Sequence, residues 1–196
     1  MLYRFQKLIL SSKNVLVRKM SERKKAKFTM LDVALIIVGA VIYGLGCFAT
    51  MGIAIGWITL RPASFIACLW GVLFGPWVGG LAAGIGNTFI SDILAGWFGV
   101  GGVGGFIGNF MMGFIPGYFV KDPKNWLSVA FWSGLSAVVC AFFVGGWIAL
   151  MGYAPFIVLF LTVIACDVPP NVIGTPIAAK YLIDSVRRRG LYWRER

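Results

Sequence analysis

The chain has 196 residues, of which 59% are hydrophobic and only 13% charged. A soluble core of this length cannot bury so much apolar surface, and the remainder would form an exposed patch larger than solubility tolerates. The charge is lopsided too, with 18 lysines and arginines against 7 acidic residues and no histidine, which removes His-based metal sites and the Ser-His and Cys-His nucleophile pairs.

Long stretches carry no charge at all: residues 33–60, 62–91, 93–120 and 125–166. A helix needs roughly 20 apolar residues to cross a bilayer. The expected fold is therefore all-α, an integral membrane bundle of six helices. In chain order, a basic arm over residues 1–27 comes first, with Leu2, Phe5, Ile9 and Leu10 spaced for a short interfacial helix. A membrane domain follows over 28–183, and a basic tail over 184–196. Helix 1 is expected at 29–50. Helix 2 is expected at 62–76, short for a span and ending at Gly75-Pro76, and helix 3 at 78–97. Gly99-Val100-Gly101-Gly102-Val103-Gly104 reads as a flexible loop before helix 4 at 104–120. It satisfies the dinucleotide-binding spacing but lacks the strand–turn–helix setting that the motif requires. Helix 5 is expected at 126–149, and helix 6 at 154–182 with Pro169, Pro170 and Pro176 inside it.

Basic residues set the orientation. With the N-terminus inside, every lysine and arginine except Arg61 falls on the cytoplasmic side. Both termini are then expected in the cytoplasm, in a cell-membrane protein that crosses the bilayer several times. The basic excess is explained by topology and by anionic lipid headgroups, not by nucleic acid.

Catalysis is not expected. Five of the seven carboxylates, Glu22, Asp32, Asp122, Asp184 and Glu195, sit at or near the cytoplasmic boundary, and no Gly-Lys dipeptide exists for a Walker A loop. The four cysteines, Cys47, Cys68, Cys140 and Cys166, have no metal-ligand spacing. No cofactor or metal is expected. The functional signal lies in polar residues within the spans, because an ionisable group there is costly unless it is paired or hydrated. Arg61, Asp92, Asn109, Asp167 and Asn171 are the candidates, with Asn87 as a further amide. Asp167 precedes Pro169-Pro170, which remove backbone donors and free carbonyls one turn earlier. Arg61 and Asp92 also suit a plain ion pair. Trp57, Trp97, Trp147 and Tyr153 lie near the outer ends, as an interfacial belt or, for the three tryptophans, as walls for a flat heterocyclic ligand. Small residues recur at helical spacing. Gly71, Gly75 and Gly79 form one row, with Gly80–Gly84, Gly104–Gly108 and Gly113–Gly117 as pairs. Such rows let helices pack closely in lipid. Ala40 and Gly44 on helix 1 are a further pair, expected to face either this bundle or a partner.

Several runs together resemble the substrate-binding S components of energy-coupling factor (ECF) vitamin transporters, closest to the riboflavin-type branch. They are Leu60-Arg61-Pro62-Ala63, Leu73-Phe74-Gly75-Pro76-Trp77-Val78-Gly79-Gly80, Gly86-Asn87, Ser91-Asp92, Gly105-Phe106-Ile107-Gly108-Asn109-Phe110 and Gly113-Phe114-Ile115-Pro116-Gly117. The resemblance implies a protein that binds a micronutrient at an outward-facing pocket. It then associates with a transmembrane coupling protein and two ATPases and reorients to deliver the substrate inward. It also implies a docking face of small residues on helix 1, here Ala40 and Gly44. Two acidic side chains and few exterior basic ones lean toward a neutral or cationic vitamin, with riboflavin-like compounds first on resemblance alone. Two rivals remain open, a proton-coupled transporter or channel with Asp92 and Asp167 as relays, and a membrane assembly subunit with no small-molecule ligand.

Overall fold

The computed structural model describes residues 28–51, 54–55, 58–59 and 61–196, and Leu31–Arg196 forms one compact unit. The basic arm and Trp57 lie outside the described residues. Six helices carry the fold among those described. They are α1 (Met30–Thr50), α2 (Phe65–Phe74, entered through a 3-10 turn Pro62–Ser64), α3 (Pro76–Ile85), α4 (Phe98–Phe119), α5 (Trp126–Leu150) and α6 (Phe156–Arg188). The only strands described are an antiparallel pair of two residues each, Ala54–Ile55 and Ile58–Thr59, between α1 and α2. Four of the helices, α1, α4, α5 and α6, are long and apolar enough to cross a membrane.

Helices α2 and α3 are ten residues each, about 15 Å long, so neither alone matches the hydrocarbon thickness. They are joined at Gly75, whose positive φ of 109° suits a residue without Cβ, and Pro76 starts α3 where its missing N–H costs nothing. Helix α3 is prolonged by a π-helical stretch, Gly86–Ser91, and one last α turn, Asp92–Leu94. Glycines let α2, α3 and α4 approach backbone to backbone. A Cβ on Gly71 would strike the Gly113 carbonyl, one on Gly113 would strike Gly79, and one on Gly79 would strike Gly71. The expected glycine rows thus pack this chain's own bundle.

The glycine run after α3 departs from expectation. It is not a loop. Phe98–Gly101 is already helical, and the helix is broken only at Gly102 (φ 41°, ψ −138°) before it resumes. The break is possible because glycine tolerates that conformation. Helix α6 also continues to Arg188, beyond the apolar stretch, because its last turns are amphipathic and bury Ala179 and Ile183.

After Gly190 (φ 65°) the chain turns back beneath the bundle. Tyr192 is buried, and burial holds its phenol above the ordinary tyrosine pKa. The Trp193 amide donates to the Leu73 carbonyl (3.3 Å), and its ring packs on Gly75. Arg194 donates to the carbonyls of Tyr118 (3.0 Å) and Val120 (2.9 Å), and lies 4.3 Å over the Trp193 ring. Those carbonyls end α4, where no intrahelical donor remains and negative dipole charge gathers. Arg196 pairs with Asp32 of α1 (3.0 Å). This strap ties the ends of α1, α2 and α4 together. Arg194→Ala should therefore lower the stability of the detergent-solubilised chain by about 1–3 kcal/mol, with Arg194→Lys intermediate because a point charge cannot reach several carbonyls at once. Equal unfolding temperatures for the three proteins would show that the strap contributes nothing.

Candidate functional site

The polar residues of the interior gather toward the end of the bundle opposite the strap. Helix α4 runs from Gly101 and Gly105, beside the polar cluster, to the carbonyls held by Arg194. The π stretch builds the first half of the cluster. In an α-helix, residues five apart point about 140° away from each other. Here the Asp92 amide bonds to the Asn87 carbonyl in π register, and Asn87 and Asp92 share a face. The Asn87 amide donates to Asp92 Oδ2 (3.0 Å) and accepts from Arg61 Nη2 (2.6 Å). Asn87, Thr88, Ser91 and Asp92 are buried, while Phe89, Ile93 and Leu94 on the other face are exposed. Gly101 of α4 leaves room for the carboxylate, since a Cβ there would collide with it. The expected Arg61–Asp92 pairing is thus relayed by Asn87 rather than direct.

The second half centres on Asp167. It is 1% exposed, and neither Oδ1 nor Oδ2 has a hydrogen-bond partner. Its neighbours are Ser64, whose Oγ is also unpartnered, and Arg61, the charged group closest to it in effect. Arg61 itself is partly buried, with Nε closed off and unbonded. One guanidinium therefore faces two carboxylates, Asp92 through Asn87 and Asp167 across unfilled bonding capacity. A buried carboxylate with both oxygens idle is costly, and such groups in a folded protein call for an explanation. Thr88 Oγ1, Ser91 Oγ and Trp147 Nε1 are likewise buried without partners. Trp147 lies against Gly102 and Gly104 at the break in α4.

Other expected site residues are placed differently. The Asn109 amide is already occupied, accepting from the Tyr43 hydroxyl (2.5 Å) and donating to the Gly105 carbonyl (2.8 Å). Asn171, on the face of Asp167 one turn on, accepts from the Cys68 thiol (3.2 Å) and donates to Met112 Sδ (3.4 Å). It belongs to a sealed packing knot with Ser136, not to the group of unpartnered atoms. Trp97 is 55% exposed on the surface. Ala40 and Gly44 are corrected most clearly. Both are buried against the π stretch of their own chain, Gly44 beneath the Gly86 carbonyl and Ile90, and Ala40 against Gly86. A backbone this closely covered offers no docking face to a partner. The surface of α1 is instead lined by Ile37, Val38, Val41, Ile42, Leu45 and Phe48. Ser64, Thr88, Ser91 and Tyr43 join the cluster without having been expected. Ser64 lies one turn after Arg61, the only signal that pointed to it.

Among the described residues no group of three or more His, Cys, Asp or Glu is placed to hold a metal ion. All four cysteines are buried and free.

The chain is similar to UPF0397 proteins. It is 39% identical over 99 residues to one from Vibrio atlanticus, covering 50% of this chain and 53% of that relative. It is 40% identical over 86 residues to one from Aliivibrio salmonicida (40% and 46%), and 35% identical over 98 residues to one from Photobacterium profundum (50% and 52%). The chain thus spans about half the length of the curated relatives it matches. No solved structure matches it. Residues 35–153, more than half of the chain, match the model of the Family of unknown function (DUF8171) and contain the whole Arg61–Asn87–Asp92 relay. On that match the chain belongs to the DUF8171 family.

Proposed function

We propose that this protein is the membrane-embedded substrate-capture subunit of an ECF-type importer. It binds a vitamin or related heterocycle from outside, riboflavin-like compounds being the first candidates by resemblance, and delivers it inward with a coupling protein and two ATPases. The observation that carries the reading is Asp167, a carboxylate held in the interior of a bundle of membrane-length helices with both oxygens unpartnered. A structural carboxylate at that depth finds a partner in its own chain. One that does not is a candidate contact for something that arrives. In this reading the helices cross the cell membrane, and the strap and both termini lie in the cytoplasm, as the basic residues favour. The polar cluster then lies toward the outer side of the membrane. The exposed apolar face of α1 meets lipid or the coupling protein.

The proton-coupled rival draws on the same residue, because a carboxylate closed off from solvent and unpaired also suits a proton carrier. Native mass spectrometry of the gently purified chain and uptake by proteoliposomes separate the readings. A capture subunit retains a small heterocycle and transports only with ATPase partners. Uptake by the chain alone under a proton gradient, or a chain that never carries a ligand, would end the capture reading.

A further inference from the structure

The donors and acceptors left idle in the cluster describe the ligand's chemistry. Asp167 offers two free oxygens on one planar group, and a carboxylate in that state is matched best by a parallel pair of N–H donors, which gives geometry as well as strength. The charges agree. Among the described residues of the cluster Arg61 is the one basic side chain, and it acts on both Asp92 and Asp167. An anionic ligand would meet two carboxyl groups against one guanidinium, whereas a cationic one would hold a carboxyl group in its charged form. The unbonded N–H groups of Arg61 Nε and Trp147 Nε1 await an acceptor.

We propose that Asp167 receives a cationic, two-donor nitrogen edge of the ligand, an amidine-type N–C–N group such as a protonated aminopyrimidine presents. The same ligand carries a ring acceptor for the idle N–H donors. The proposal rests on the capture-subunit reading and replaces the riboflavin-like first candidate of the resemblance with cationic nitrogen heterocycles.

Benzamidine, benzamide and benzoate share a ring and a size, and differ in charge and in donor pattern. Thermal unfolding of the full detergent-solubilised chain, followed over a concentration series of each, tests the assignment directly. Benzamidine should raise the unfolding temperature saturably, as a ligand bound only by the folded state does, and the other two should not. The isosteric Asp167→Asn should weaken the benzamidine response about tenfold to a hundredfold. If that variant does not fold, the three compounds on the unaltered chain still decide. Stabilisation by benzamide or benzoate equal to that by benzamidine, an unchanged benzamidine response in Asp167→Asn, or no benzamidine response at all would overturn the proposal. A heterocycle found bound by mass spectrometry while benzamidine has no effect would remove the ligand class and leave the capture reading standing. No bound heterocycle and no benzamidine response would remove both.

Discussion

Replacing Gly71 with alanine should destabilise the bundle by about 3 kcal/mol or more, and Gly113→Ala should do the same. At both positions the new methyl group would meet backbone rather than a movable side chain, the Gly113 carbonyl in one case and Gly79 in the other. A flexible neighbour can turn aside, but a helix backbone cannot without separating the helices. The loss would be felt at α2, α3 and α4 together, because Gly71, Gly79 and Gly113 form one mutual contact. Gly99→Ala is the matched control. Gly99 is exposed, lies in a helical turn and has nothing near its Cβ position. There alanine should be neutral or stabilising by about 0.5–1 kcal/mol, through helix propensity. Unfolding temperatures of the three purified variants are the measurement. If Gly71→Ala unfolds like the unaltered chain, the three-helix crossing is not as close as described. If Gly99→Ala is strongly destabilised, the segment is not helical.

Arg61→Ala should cost about 3 kcal/mol of stability. That is the lower end for a broken buried pair, because Arg61 keeps partial access to solvent. The loss arises less from the 2.6 Å bond to Asn87 than from what is left behind. Asp92 and Asp167 would remain as two interior carboxylates with no positive charge to offset them. Arg61→Lys should recover part of the stability, since the charge returns, but not the relay geometry, since an ammonium lacks the planar fork. The double variant Arg61→Ala with Asp92→Asn should be less damaged than the sum of the two single changes, because removing one carboxylate relieves the stranded charge. A thermodynamic cycle on the detergent-solubilised proteins reads this coupling, and strict additivity would show that Arg61 and Asp92 do not act as a unit.

Much of the fold was legible before any coordinates. The charge-free stretches placed helices at 29–50, 126–149 and 154–182, against Met30–Thr50, Trp126–Leu150 and Phe156–Arg188 in the structure. Gly75-Pro76 marked the turn between α2 and α3 for the reason it works, one residue free to take positive φ and one that needs no donor. The glycine run misled, because glycine spacing looks the same whether the backbone turns freely or is pressed against a neighbour. Gly101 and Gly104 are small because Asp92 and Trp147 lie against them, and only the packing reveals that.

The candidate site divides in the same way. Arg61, Asp92 and Asp167 stand out in the sequence because charge is scarce and hydrocarbon penalises it, a property of each residue alone. Whether such a group is already satisfied is a property of pairs, and pairs are made by the fold. Asn109 and Asn171 stood among the candidates beside Asp167, yet Tyr43, Cys68 and Met112 occupy their amides. The Asn87–Asp92 contact needed a π turn that no residue pattern announces. Ala40 and Gly44 kept the right size for a docking face, but the π stretch of their own chain covers them. Residue chemistry alone therefore determined which elements form and which side chains are out of place in an apolar medium. Tertiary packing decided which of those already have partners, because hydrogen bonds and close contacts join residues tens of positions apart.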